Sequence, residues 1–287
     1  MSNAPAPDPS STVGLKQTSS IYLLRAIICF VGLAVLWAWA LGFAATQVKD
    51  SAPILNIILM IAAGFAPSLA AIVIVACFGG RAGLRAWFTR CLNWRVKWYV
   101  FVLAFFVPPI VMALALALHV TLGGAVPSFP AASQIPLAVA NFGLVLLIGG
   151  PLGEEFGWRG YLTRALRKWM NWRVVSLIIG IIWGLWHLPL FFMAGTAQAH
   201  MPIPIFMLNI LAGSVLFGWL FERSKGSVLP ALVAHMSLNT WAGLLGIVPT
   251  AISGGTYAIV TGLLVLIALA LLVLPDRNQT STAHVET

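Results

Sequence analysis

Long apolar runs separated by short polar connectors make up most of this chain. Each run approaches the roughly 20 residues that a helix needs to cross a hydrocarbon core of about 30 Å. In lipid such a run must be helical, because only a helix satisfies its own backbone hydrogen bonds within the segment. The pattern predicts an all-α, polytopic membrane bundle of about eight spans, at 21–46, 53–78, 98–122, 136–168, 174–194, 201–222, 228–248 and 256–274.

The connectors between the runs alternate in charge. Those after the third, fifth and seventh runs contain no Lys, Arg, Asp or Glu. Those after the second, fourth and sixth are basic, with Arg81, Arg85, Arg90, Arg95 and Lys97, then Arg164, Arg167, Lys168 and Arg173, then Arg223 and Lys225. Because basic connectors stay in the cytoplasm, the alternation predicts that both termini are cytoplasmic.

Four segments have patterns that set them apart from the central runs. Residues 1–20 are rich in Pro, Ser and Ala and predict a disordered tail, and 275–287 form a C-terminal tail, so that 21–274 is one transmembrane domain. The first run predicts an uncleaved helix, with a cleaved signal as the alternative. Residues 79–99 mix basic side chains with Trp and predict an amphipathic interfacial helix, or else a substrate-docking element.

Composition supports a membrane protein and excludes other classes. The chain has 287 residues, of which 60% are hydrophobic and only 8% charged, far fewer charges than a soluble domain carries. The formal charge of +9 lies in the connectors, so lipids rather than nucleic acid are the expected partners. The simple tails and the lack of targeting motifs suggest a bacterial cell membrane.

Ionisable residues at membrane depth are costly and indicate a functional site. They are Glu154, Glu155 and Arg159 in the fourth run, His187 in the fifth, and His235 with Asn239 in the seventh. At about 1.5 Å per residue, the glutamates and both histidines lie roughly 15–20 Å in from the basic connectors. A single ionisable group could equally well serve only as a polar contact between packed helices. Six at matching depth on three helices predict one shared cavity.

The spacing of these residues suggests a division of labour. Glu155 and Arg159 are four residues apart, on one helix face in the order that favours an ion pair. Glu154 points about 100° away, so it would face the cavity while Arg159 holds Glu155. Gly153, Gly157, Gly160 and Gly184 would let helices approach closely there. Asn209 is expected to make a hydrogen bond between helices.

Three short motifs in order resemble a known family. "EEFGWR" fits EExxxR, "WGLWH" is similar to FxxxH with Trp183 in place of Phe, and "HMSLN" fits HxxxN. They resemble the CPBP family of intramembrane proteases, which includes Rce1-type CAAX prenyl endopeptidases and bacterial Abi relatives. The resemblance covers about 137–248.

This resemblance implies roles for the six residues. Glu154 and His187 would activate a water molecule, with Glu154 as general base. Glu155 and Arg159 would set the geometry of that carboxylate, and His235 with Asn239 would donate to the oxyanion. Two mechanisms stay open: Zn²⁺ held by Glu154, His187 and His235, or a metal-free glutamate mechanism.

The predicted activity is therefore intramembrane hydrolysis of a peptide bond in a membrane-associated peptide or protein. Two other functions stay open. One is a non-catalytic membrane protein of the bacteriocin-immunity type, and the other is a proton-coupled transporter. The sequence does not identify the substrate.

Overall fold

The computed structural model describes residues 9–125, 135–247 and 254–275. These residues fold into α-helices, in agreement with the predicted all-α bundle. The helices are α1 (Pro9–Val48), α2 (Pro53–Gly64), α3 (Ala66–Cys91), α4 (Trp98–Thr121), α5 (Ile135–Ile148), α6 (Pro151–Glu155), α7 (Arg164–Leu166), α8 (Trp172–Trp186), α9 (Ile203–Arg223), α10 (Leu229–Leu244) and α11 (Gly254–Val273). A π-helix, Phe156–Thr163, joins α6 to α7, and the 3-10 helices Leu188–Phe192 and Gln198–His200 follow α8.

Within the described residues, seven segments are long and apolar enough to cross a membrane, one fewer than predicted. The predicted span 228–248 is the one that is not among these seven segments. It corresponds to α10, which has 16 residues and is therefore only about 24 Å long. The multi-pass architecture is confirmed, while the cytoplasmic placement of the termini stays a prediction.

The predicted span 53–78 is two helices. It is divided at Phe65, between Gly64 and Pro67, so that α2 is a 12-residue helix and α3 begins a new one. Proline lacks a backbone N–H and suits the first turn of a helix, which explains why α3 starts there.

The separate interfacial helix predicted at 79–99 is wrong in its bounds. Helix α3 continues through a kink at Gly80 (φ 57°, ψ −160°) and ends at Cys91, and Trp98 already begins α4. Trp87 is buried and donates its indole N–H to the Gly160 carbonyl at 3.0 Å. Trp94 and Trp98 are more than 70% exposed, as interfacial anchors would be.

The two predicted tails are only partly described. Helix α1 begins at Pro9, so it includes residues 9–20 of the segment expected to be disordered. Residues 1–8 and 276–287 lie outside the described part.

The predicted span 136–168 is broken in its middle. Helix α5 ends at Ile148, Gly150 has a left-handed φ of 110°, and Pro151 is the first residue of α6. Only glycine adopts this φ without strain. The break begins a new helical segment whose first turn contains Glu154 and whose last residue is Glu155.

The close helix approach predicted at the glycines is confirmed. A Cβ added to Gly153 would lie 2.4 Å from the Gly64 carbonyl oxygen, and one added to Gly157 would lie 2.5 Å from Pro67 backbone atoms. The segment from α6 to the π-helix therefore packs directly against the break between α2 and α3. This contact fixes the position of the helix turn that bears the two glutamates.

Candidate active site

Four of the predicted site residues line one cavity. Its volume is about 390 Å³, and its lining includes Glu154 from α6, His187 at the end of α8, and His235 and Asn239 from α10. Glu155 and Arg159 do not line it; they lie behind it and are almost fully buried. The structure therefore brings all six residues together in two layers. Their catalytic roles stay predictions.

Glu155 is the centre of the buried layer. Its Oε1 accepts from Arg159 Nη1 at 3.1 Å and lies 2.9 Å from His235 Nδ1. The predicted pairing of Arg159 with Glu155 is therefore confirmed. Its other oxygen, Oε2, has no hydrogen-bond partner among the described residues.

Four contacts hold the Arg159 side chain, the first of them with the Glu155 carboxylate. Its Nη2 donates to Ser214 Oγ at 3.3 Å, and Ser214 in turn donates to the Ser176 carbonyl at 2.8 Å. Its guanidinium lies 4.8 Å from the Trp183 ring centroid and 5.0 Å from that of Phe217. Cation–π contacts of this kind are strongest where water is excluded. The cation is thus fixed by one carboxylate, one hydroxyl and two aromatic faces.

Glu154 presents one oxygen to the cavity. Its Oε2 accepts from the Trp183 indole N–H at 2.5 Å. Its Oε1 lies on the side of Gly150, 2.7 Å from where a Cβ atom on that residue would be. The same Cβ would lie 3.4 Å from His235 Nε2, so the glutamate oxygen and the imidazole nitrogen approach one point. Glycine at position 150 keeps that point open.

Both histidines turn Nδ1 away from the cavity. His187 Nδ1 lies 2.9 Å from the Trp183 carbonyl, and His235 Nδ1 lies 2.9 Å from Glu155 Oε1. A carbonyl or carboxylate oxygen can only accept, so each Nδ1 carries a proton. Nε2 of each ring is then the nitrogen left for a ligand or a water molecule.

The two asparagines differ in role. Asn239 Nδ2 donates to the Gly149 carbonyl at 3.0 Å, which stabilises the break between α5 and α6 and leaves its second amide N–H for the cavity. Asn209 Nδ2 donates to Thr261 Oγ1 at 3.1 Å. This bond joins α9 to α11, as predicted for Asn209.

The metal-dependent mechanism predicts a zinc set of Glu154, His187 and His235. Their atom types suit zinc, and both rings are oriented through Nδ1 as metal-bound histidines are. Among the described residues, however, no three His, Cys, Asp or Glu side chains form a group that could hold a metal ion. Zinc at this site therefore stays a prediction, and we derive no step through it.

The sequence motifs do not predict the contacts that two further residues make in the site. The motif shows Trp183 only as a replacement for Phe, yet its indole N–H donates to Glu154. The signal was available, because a Phe at that position has no donor. Ser214 lies in an apolar run of α9 with no motif, and nothing in the sequence links it to Arg159.

Comparison with known proteins gives two matches. Residues 136–241 match the model of the Rce1-like family, described as type II CAAX prenyl endopeptidases. CAAX prenyl protease 2 of Methanococcus maripaludis is 29% identical over 182 residues, which cover 61% of this chain and 65% of the relative. The match spans slightly less than two thirds of the length of that relative.

Proposed function

We propose that the chain is an intramembrane endopeptidase of the Rce1-type CPBP family, supported by the match of residues 136–241 to the Rce1-like model and by the similarity to CAAX prenyl protease 2. The observation that carries the proposal is the convergence of Glu154, His187, His235 and Asn239 on one cavity of about 390 Å³. The substrate would be a peptide or protein at the membrane, because the cavity lies among apolar membrane-crossing helices.

Glu154 supplies the base in the proposed reaction. Its Oε1 takes a proton from a water molecule, while His187 Nε2 accepts the second hydrogen bond of that water. The water oxygen attacks the peptide carbonyl carbon, and the carbonyl π electrons move onto its oxygen. When this intermediate collapses, the C–N bond breaks and Glu154 returns the proton to the leaving nitrogen.

His235 and Asn239 stabilise the oxyanion in this scheme. The free N–H of the Asn239 amide is one donor. His235 Nε2 is the second when its ring carries both protons. Donors of this kind lower the barrier by several kcal/mol, because they are oriented before charge develops.

The pair of Glu155 and Arg159 positions the site rather than touching the substrate. Glu155 binds His235 Nδ1 and so directs Nε2 toward the cavity. Arg159 keeps this carboxylate in place through its own contact at 3.1 Å. We therefore expect their loss to disturb His235 and, through the contact of Arg159 with the Trp183 ring, Glu154 as well.

The test is proteolysis by the purified protein in liposomes with a library of membrane-derived peptides. Glu154→Gln keeps an acceptor for the Trp183 N–H but cannot take a proton, so we expect cleavage to be lost. Glu222→Gln is the matched control, because Glu222 is paired with Arg167 and does not line the cavity that contains Glu154. Full activity of Glu154→Gln would overturn the proposal.

A further inference from the structure

A second cavity lies at one end of the bundle, away from the candidate active site. Its volume is about 510 Å³, and it lies where α4 and α8 begin and where α9 and α11 end. Its described lining includes the basic residues Arg95, Lys97, Arg167, Arg223 and Lys225. Glu222 is the one carboxylate among those lining residues.

The charges in this cavity do not cancel. Glu222 is already paired with Arg167, whose Nε donates to Glu222 Oε1 at 2.8 Å and whose Nη2 donates to Oε2 at 3.1 Å. Arg95, Lys97, Arg223 and Lys225 have no carboxylate partner among the described residues. Four exposed cations around one concave surface make a site for an anion.

The walls of the cavity are apolar and aromatic. Trp172 and Trp219 line it together with Leu271 from the last turn of α11 and Leu274, which directly follows that helix. The strongly exposed Trp94 lies on the connector that supplies Arg95 and Lys97, and the equally exposed Trp98 begins α4 directly after it. Tryptophan at the ends of membrane-crossing helices is typical of the level of lipid headgroups.

A third cavity, of about 540 Å³, extends the basic surface. It shares Arg167, Glu222 and Lys225 with the second and adds Arg90, Arg164 and Lys168. The basic surface is therefore continuous from the end of α3 to the start of α4. Basic pockets between membrane helices bind the headgroups of anionic lipids.

We propose that the second cavity binds the headgroup of an anionic phospholipid, with the phosphate among Arg95, Lys97, Arg223 and Lys225. An Arg side chain binds two phosphate oxygens at once, and Lys adds a point charge. The leucines at the end of α11 would contact the glycerol and the first acyl carbons. A soluble anion would bind the cations but would make no favourable contact with this apolar wall.

The experiment uses the full-length protein in neutral detergent. Native mass spectrometry measures binding of phosphatidylglycerol and of phosphatidylcholine to the unaltered protein and to a double variant, Lys97→Gln with Arg223→Gln. The matched control is Arg81→Gln with Arg85→Gln, which removes two exposed charges from α3 that line neither cavity.

We expect the cavity variant to lose affinity for phosphatidylglycerol by a factor on the order of ten, and the control to lose much less. Binding to the unaltered protein should also weaken as salt is raised, which tests the charge contribution without any substitution. Equal losses in the two double variants would overturn the proposal, as would equal binding of phosphatidylcholine. Complete displacement of the lipid by inorganic phosphate would assign the site to a soluble anion instead.

Discussion

The buried contact between Glu155 and Arg159 gives a quantitative prediction about stability. Glu155→Gln leaves the Arg159 guanidinium, which is 1% exposed, without a carboxylate. Removing one partner of a buried ion pair costs about 3–5 kcal/mol. Because the glutamine oxygen can still accept from Arg159 as a neutral group, we expect a loss of about 2–4 kcal/mol in the free energy of unfolding.

Glu222→Gln is the matched control for this prediction. Glu222 and Arg167 form the same kind of pair, but both side chains are about one third exposed. A pair screened by solvent contributes about 0–1 kcal/mol. Both variants are unfolded in mixed micelles with increasing denaturing detergent, and loss of helix is followed by circular dichroism. If the two losses are equal, burial does not set the strength of the Glu155 contact and our account of the site is wrong.

Three further predictions concern the site and its packing. Trp183→Phe keeps an aromatic side chain but removes the N–H that donates to Glu154, so we expect peptide turnover to fall by a factor on the order of ten. Unchanged turnover would refute this role. Gly153→Ala places a Cβ within 2.4 Å of the Gly64 carbonyl oxygen and should lower thermal stability. Gly262→Ala is the control, because its Cβ would meet no atom within 4 Å. Equal losses of thermal stability in the two variants would contradict the close helix contact at Gly153. A zinc chelator should leave proteolysis intact, and activity restored only by Zn²⁺ would show a metal mechanism.

Much of the site could be predicted because its chemistry depends on local spacing. Glu155 and Arg159, four residues apart, meet as a regular helix turn requires, even though the residues between them adopt π-helical geometry. The glycines near the glutamates mark the close helix contacts. A charged residue in an apolar run also stands out from composition alone, because lipid excludes it.

The breaks in the helices were harder to predict, since average hydropathy does not register where a helix bends. Signals were present at both breaks. Pro67 comes three residues after Gly64, and Pro151 comes directly after Gly150. Each proline lies in the first turn of a new helix. The contacts across the bundle, such as Ser214 with Arg159, depend on how distant helices pack and left no pattern in the sequence.

The central claim is that Glu154, His187, His235 and Asn239 act together on a peptide bond inside one cavity. The most direct test compares the termini of membrane peptides from cells that produce the intact protein and from cells that produce Glu154→Gln at equal levels. The account predicts a set of new termini that appears with the intact protein and disappears with the variant. The same new termini in both cultures would contradict it.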